Sequence, residues 1–315
     1  MEEPKRRLTP QEARILRTHC GVFSRMGGAL LAQMGGMLAV QTLAFAAAAL
    51  LAPGLAGQPV FLWTISLVSA YGVGFPLFCL VIRTLPAAPA PERRTPLAPV
   101  RLFQVYLISM AALYLSNYAT LALIGLIGLV RGAPVTNPVE SLGDYPMVLN
   151  LLLGCVVAPL AEEAAFRGLL LRRLRPYGEK FAMFASALCF GLFHGNLNQM
   201  FYAFALGLIF AYVVLRTGCL WQAMLLHALV NLAGIELPAL ADWPGRWSGY
   251  LLGGLVLLFL FGGVGCMIAL AREVWFQKDG YPMPERQKWR LFFENPGIIC
   301  FCLLAAGVAA SYLLL

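Results

Sequence analysis

Apolar stretches of about membrane width alternate with short charged loops along nearly the whole of this 315-residue chain. An α-helix rises 1.5 Å per residue and needs roughly 20 apolar residues to cross the hydrocarbon of a bilayer. The pattern therefore predicts helical spans at 27–52, 60–82, 102–130, 146–171, 181–195, 199–215, 219–235, 249–271 and 297–315, of which the fifth to seventh are short. The expected fold is all-α, a polytopic membrane helix bundle of about eight or nine transmembrane helices. The lower number applies if the last apolar segment lies on the membrane surface. The basic, polar stretch ending at Arg25 leads into an apolar segment that is too long for a signal peptide and lacks a small-residue cleavage site, so an uncleaved first span is expected.

Polar residues interrupt the apolar pattern at a few places only. Glu162 and Glu163 stand with Arg167 in the fourth span, His194 follows Phe190 in the fifth, and His227 precedes Asn231 in the seventh. An ionisable side chain at bilayer depth costs about 2.5 to 3.5 kcal/mol, so such groups mark function by default. Adjacent helical residues point about 100° apart, so Glu162 and Glu163 cannot face one partner. Glu163 lies four residues before Arg167, the favourable order for an ion pair, which casts those two as support and leaves Glu162 available for chemistry. Phe190 and His194 share a helix face in the same way, as do His227 and Asn231. Counted from the nearest basic loop residues, the three polar groups all come to a depth of roughly 16 to 22 Å. Gly191 and Gly195 form a GxxxG pattern around His194 that would admit a close neighbouring helix.

Composition agrees with the membrane reading: 60% hydrophobic residues, 12% charged residues and a mean hydropathy of +0.75 exclude a soluble domain. The net charge of +8 lies in alternate loops and not in an aromatic-lined basic groove, so no nucleic-acid partner is expected. With the N-terminus in the cytoplasm, Lys5 to Arg25, Arg83 to Arg101, Arg172 to Lys180, Arg216 and Arg272 to Arg290 fall inside. Arg131 and Arg246 then face outward beside Glu140, Asp144, Glu236 and Asp242. Eight cysteines scattered without a CxxC pair read as small buried hydrophobes. The stretch 85–100, with five prolines, reads as an extended linker, and 272–296 as an aromatic and basic segment at the cytoplasmic headgroup level. Gln33, Gln41 and Asn117 read as helix–helix contacts, Asn196, Asn198 and Gln199 as turn and cap residues, and His19 as a solvated surface residue.

Taken together, Glu162-Glu163-Ala164-Ala165-Phe166-Arg167, Phe190-Gly191-Leu192-Phe193-His194 and His227-Ala228-Leu229-Val230-Asn231 resemble the three motifs of the CAAX protease and bacteriocin-processing (CPBP, Abi) family of intramembrane endopeptidases. The resemblance implies a catalytic membrane core at 101–271. It leaves residues 1–100 as an N-terminal segment, two helices and a Pro-rich linker, and 272–315 as an interfacial segment with a final helix. By the same resemblance Glu162 and His194 would activate water, His227 and Asn231 would form an oxyanion hole, and Glu163, Arg167 and Phe190 would support them. The chemistry is coherent, because a peptide carbonyl needs a base-activated nucleophile on one side and hydrogen-bond donors on its oxygen. No HExxH, GxGD or helix-leading GxS motif offers another protease chemistry. No cofactor is expected. A zinc-dependent version holding the ion on Glu162, His194 and His227 stays open, as do a membrane transporter and an immunity-type scaffold using the same polar core. The resemblance implies a membrane-associated substrate, either a prenylated CAAX protein or a leader or bacteriocin-type peptide, in a bacterial cell membrane.

Overall fold

The computed structural model describes residues 9–89, 93–135, 137–138, 146–239, 247–278 and 280–314. Lys5, Glu140, Asp144, Asp242 and Arg246, along with the side chain of Glu236, lie outside the described residues. Among the described residues there are helices and no strands. We number the helices α1 (Pro10–Leu51), α2 (Pro59–Ile82), α3 (Pro99–Arg131), α4 (Met147–Tyr177), α5 (Glu179–Phe193), α6 (Leu197–Thr217), α7 (Leu220–Ala239), α8 (Trp247–Leu270), α9 (Glu285–Phe293) and α10 (Pro296–Leu314).

Seven of these helices are long and apolar enough to cross a membrane, and the apolar part of α7, Leu220–Gly234, is a shorter eighth. The expected fifth span is α5, which has only 15 residues. At 1.5 Å per residue it extends about 22 Å, short of the ~30 Å hydrocarbon layer. His194 caps its C-terminus, Gly195 turns the chain with φ 61°, and Asn196 caps α6 by accepting the Gln199 N–H at 2.9 Å. Asn196 and Gln199 are thus turn and cap residues, as their polarity indicates.

Local chemistry sets the other ends. Thr9 and Glu12 form a capping box before Pro10 at the start of α1. Glycines in the left-handed conformation close α3 and α6, Gly132 at φ 75° and Gly218 at φ 67°. The helix α1 begins well before the apolar stretch at residue 27, and its early turns pack on the bundle. His19 Nδ1 lies 2.9 Å from the Tyr177 hydroxyl and its ring is 4.8 Å from that of Tyr281. His19 is therefore half-buried against aromatic rings and not fully solvated, because the far end of α4 lies beside it, which no local pattern reveals.

Two apolar clusters organise the bundle. One gathers Phe23, Phe78, Phe166, Phe181, Phe190, Phe292 and Phe301 from α1, α2, α4, α5, α9 and α10. The other gathers Leu107, Met110, Leu206, Phe210, Val230 and Phe259 from α3, α6, α7 and α8. Glycine lets the helices approach where they cross. A Cβ on Gly27 of α1 would lie 2.2 Å from the Gly297 carbonyl carbon of α10, and one on Gly263 of α8 would lie 2.2 Å from the Leu107 oxygen of α3. Gly191 does the same for the α5–α6 hairpin, with the Met200 oxygen 2.7 Å away. Of the GxxxG pair, then, Gly191 serves close approach and Gly195 serves the turn.

The connecting segments are tied down. The Pro-rich linker is extended, and its Ala88 exchanges hydrogen bonds with Arg172, through the Ala88 N–H to the Arg172 carbonyl (2.8 Å) and the Arg172 guanidinium to the Ala88 carbonyl (2.9 Å). Further along, Thr95 N–H donates to the Thr217 carbonyl, and the Gln222 side chain pairs with both backbone groups of Leu97. In the segment before α10, Trp275 stacks over the Arg216 guanidinium at 3.9 Å and Trp289 meets Phe181 at 4.7 Å. Phe292, read from the sequence as an interfacial anchor, is buried in the first cluster, because α9 lays its apolar face on the protein.

The crossing of α1 and α10 yields a paired test. Gly27→Ala forces two backbones apart, an overpacking that costs about 1 to 3 kcal/mol. Gly28, next to it, would place a Cβ in open space. In detergent-solubilised protein, Gly27→Ala should lower the melting temperature by several degrees and Gly28→Ala should leave it unchanged or raise it. Equal shifts would rule out the close crossing.

Candidate active site

The site is built on a helix that departs from α geometry on both sides of its acidic pair. Within α4, residues Leu152–Val157 and Ala164–Leu170 are π-helical, and the α-helical piece between them, Ala158–Glu163, carries Glu162 and Glu163. Widened turns of this kind loosen the ladder of hydrogen bonds and make carbonyls accessible to outside donors. Both segments are used in that way. The Gly154 carbonyl accepts from Asn231 Nδ2 of α7 at 2.7 Å, and the Phe166 carbonyl accepts from Ser186 Oγ of α5 at 3.1 Å.

Glu163 turns into the protein. Its Oε1 accepts from Arg167 Nη1 at 2.9 Å and from His227 Nδ1 at 2.9 Å, and the Glu163 and Arg167 side chains are wholly buried. The ion pair expected from the four-residue spacing is present; its link to His227 is an addition that spacing does not reveal. The Arg167 guanidinium also lies over the Phe190 ring at 4.2 Å and faces the Phe210 ring at 5.6 Å, so one aromatic from each apolar cluster covers it.

Glu162 turns the other way, as helix geometry requires. Its Oε2 lies 3.9 Å from His227 Nε2, and its side chain retains 14% exposure. That separation is too long for a direct hydrogen bond and suits a bridging water set to one side. Its other oxygen, Oε1, accepts from the Tyr71 hydroxyl of α2 at 2.9 Å. Tyr71 has no counterpart in the sequence reading. The cue available was a tyrosine among glycines, Tyr71-Gly72-Val73-Gly74, in an apolar span, and Val68–Gly74 is a third π-helical segment.

His194 is fixed by its own helix. Its Nδ1 is 2.9 Å from the Phe190 carbonyl, which can only accept, so Nδ1 carries the hydrogen and Nε2 is the free acceptor in the neutral ring. The Phe190 ring packs edge-on against His194 at 5.0 Å and His227 at 5.9 Å. Glu162, His227 and Arg167 are near enough to act electrostatically on His194. Arg167, His194 and His227 thus meet at the Phe190 ring, and Glu162 and Glu163 join the group on either side of the His227 imidazole. Asn231, one turn beyond His227, is tied to α4 through Gly154 and not to those side chains, with one amide hydrogen left to give.

Among the described residues no three His, Cys, Asp or Glu side chains, Glu162, His194 and His227 included, are grouped so as to hold a metal ion.

The fold and the cluster define an integral-membrane helical protein with a partly buried group of Glu162, His194, His227 and Asn231. Residues 144–233, which hold every one of those side chains, match the family described as Rce1-like, the type II CAAX prenyl endopeptidases. Over 87 residues the chain is 30% identical to the membrane peptidase candidate YdiL of Bacillus subtilis (strain 168), a stretch that is 26% of this chain and 34% of that protein. The match therefore spans about a third of the relative's length. No solved structure matches the chain. The three motifs, Glu162 to Arg167, Phe190 to His194 and His227 to Asn231, all lie within the segment that is similar to this family.

The two carboxylates should differ in their structural weight. Glu163→Gln strips the counter-charge from a fully buried arginine, a change that costs about 3 to 5 kcal/mol. Glu162→Gln changes a partly exposed group that no arginine or lysine contacts, and its bond from the Tyr71 hydroxyl can be kept by the amide oxygen. Thermal unfolding in detergent should show a much larger loss for Glu163→Gln; equal or reversed shifts would remove this division of labour.

Proposed function

We propose that this protein is an intramembrane endopeptidase that hydrolyses a peptide bond in a membrane-associated peptide or protein, with a glutamate-activated water as nucleophile. The observation that carries the reading is the opposition of Glu162 Oε2 and His227 Nε2 across 3.9 Å, with Glu163 gripping the far side of the same imidazole.

In this reading Glu162 and the free Nε2 of His194 share a water and take its proton as the oxygen adds to the peptide carbonyl carbon. The carbonyl oxygen becomes an oxyanion and receives hydrogen bonds from Asn231 Nδ2 and His227 Nε2. His227 Nδ1–H is held by Glu163, so donation from Nε2 requires a proton on both ring nitrogens. Collapse of the tetrahedral intermediate breaks the C–N bond, and the proton taken from water passes to the departing amine. Every group needed is on the chain, so the reaction is proposed as metal-free.

The substrate is proposed from the family alone, as a prenylated CAAX protein or a leader or bacteriocin-type peptide; the location proposed is a bacterial cell membrane with the N-terminus cytoplasmic. Membranes from cells expressing wild type and Glu162→Ala, compared for peptides that accumulate or disappear, test the activity. At least one membrane-associated peptide should persist only with the variant, and identical profiles would overturn the peptidase reading. Chelation should leave cleavage by the purified protein intact. A loss restored by one equivalent of zinc would replace the metal-free mechanism.

A further inference from the structure

Tyr71 lies on α2, outside the segment 144–233 that matches the family, and 91 residues before the carboxylate it touches. Two independent contacts join α2 to α4 along this edge. Trp63 Nε1 donates to the Leu149 carbonyl at 2.8 Å, a backbone tether remote from the acidic pair, and the Tyr71 hydroxyl donates to Glu162 Oε1 at 2.9 Å. The second does more than join helices. A carboxylate on a flexible stem has two equivalent oxygens, and a hydroxyl bound to one of them decides which oxygen is left for other work. Here Oε1 is taken and Oε2 is turned toward His227 Nε2.

We propose that Tyr71 is a positioning residue of the active site, supplied by the N-terminal helix pair, which holds the Glu162 carboxylate so that Oε2 alone faces the attacking water. This rests on the peptidase reading above. The groups surrounding Glu162 are otherwise accounted for: His227 from α7 lies opposite Oε2, Glu163 and Arg167 pair with each other, His194 from α5 is held by the Phe190 carbonyl, and Tyr202 of α6 is the remaining ionisable neighbour. None of these is hydrogen-bonded to Oε1. The π-helical turn Val68–Gly74 is what brings the phenol to this point, and a Cβ at Gly74 would meet the Gln33 oxygen of α1 at 2.9 Å, so α1 backs the segment closely. The N-terminal helices thereby become part of the catalytic apparatus.

The test compares Tyr71→Phe with Trp63→Phe in the purified full-length protein, using a peptide that Glu162→Ala membranes accumulate. Loss of carboxylate alignment should lower kcat for Tyr71→Phe roughly ten- to a hundredfold with KM changed less than about twofold. Trp63→Phe, which removes a tether of the same kind between the same helices, should keep kcat within about twofold of wild type. Equal losses in the two variants, a Tyr71→Phe effect confined to KM, or a Tyr71→Phe enzyme as fast as wild type would each overturn the positioning role. Glu162→Gln separates the two levels of argument: if it turns over at the wild-type rate, the glutamate mechanism fails and takes this inference with it. If it is inactive while Tyr71→Phe is fully active, only the inference falls.

Discussion

A wholly buried ion pair governs this structure. Glu163 and Arg167 are both removed from solvent, and charges so placed persist only when they are paired. The pair then recruits its surroundings. His227 joins Glu163 from α7, Phe190 and Phe210 cover the guanidinium from either side, and Gly207 leaves the space, since a Cβ there would lie 3.4 Å from Arg167 Nη2 and 3.0 Å from Ala187. Four helices are thereby fixed about one point. Because Glu163 faces inward, its neighbour Glu162 must face elsewhere, and the open side of the cluster is where it goes.

Irregular backbone completes the arrangement. Three π-helical segments, a helix too short to cross the bilayer and a turn at Gly195 all occur beside the polar side chains. In hydrocarbon an unsatisfied carbonyl costs several kcal/mol, so such backbone persists only where protein donors reach it. Asn231 and Ser186 are two such donors, at Gly154 and Phe166. Asn231 therefore links the proposed oxyanion hole to the helix that bears the proposed base.

Much of this could be read from residue spacing. The four-residue interval from Glu163 to Arg167 indicates their pair, because a helix superposes such positions, and the same interval joins the His194 ring to the Phe190 carbonyl. The split of Glu162 from Glu163 follows from the 100° between neighbours. The contact of His227 with Glu163, the hydroxyl of Tyr71 on Glu162 and the packing of His19 against two tyrosines were not legible, because each joins residues far apart in the chain. The linker's composition indicated extension, yet its pairing with Arg172, Thr217 and Gln222 depends on where the ends of α4, α6 and α7 come to lie.

The amino-acid sequence alone determined that this is a helical membrane protein, roughly where its helices run, and which polar residues are too costly in lipid to be incidental. Those are properties of local periodicity and of transfer from water, and both act on a segment without reference to its neighbours. Tertiary structure decided which atoms meet: which oxygen of Glu162 takes a hydrogen bond, which nitrogen of His227 is held, and that a tyrosine from α2 reaches the acidic pair. Such choices depend on sub-ångström packing between helices, and no single helix contains that information.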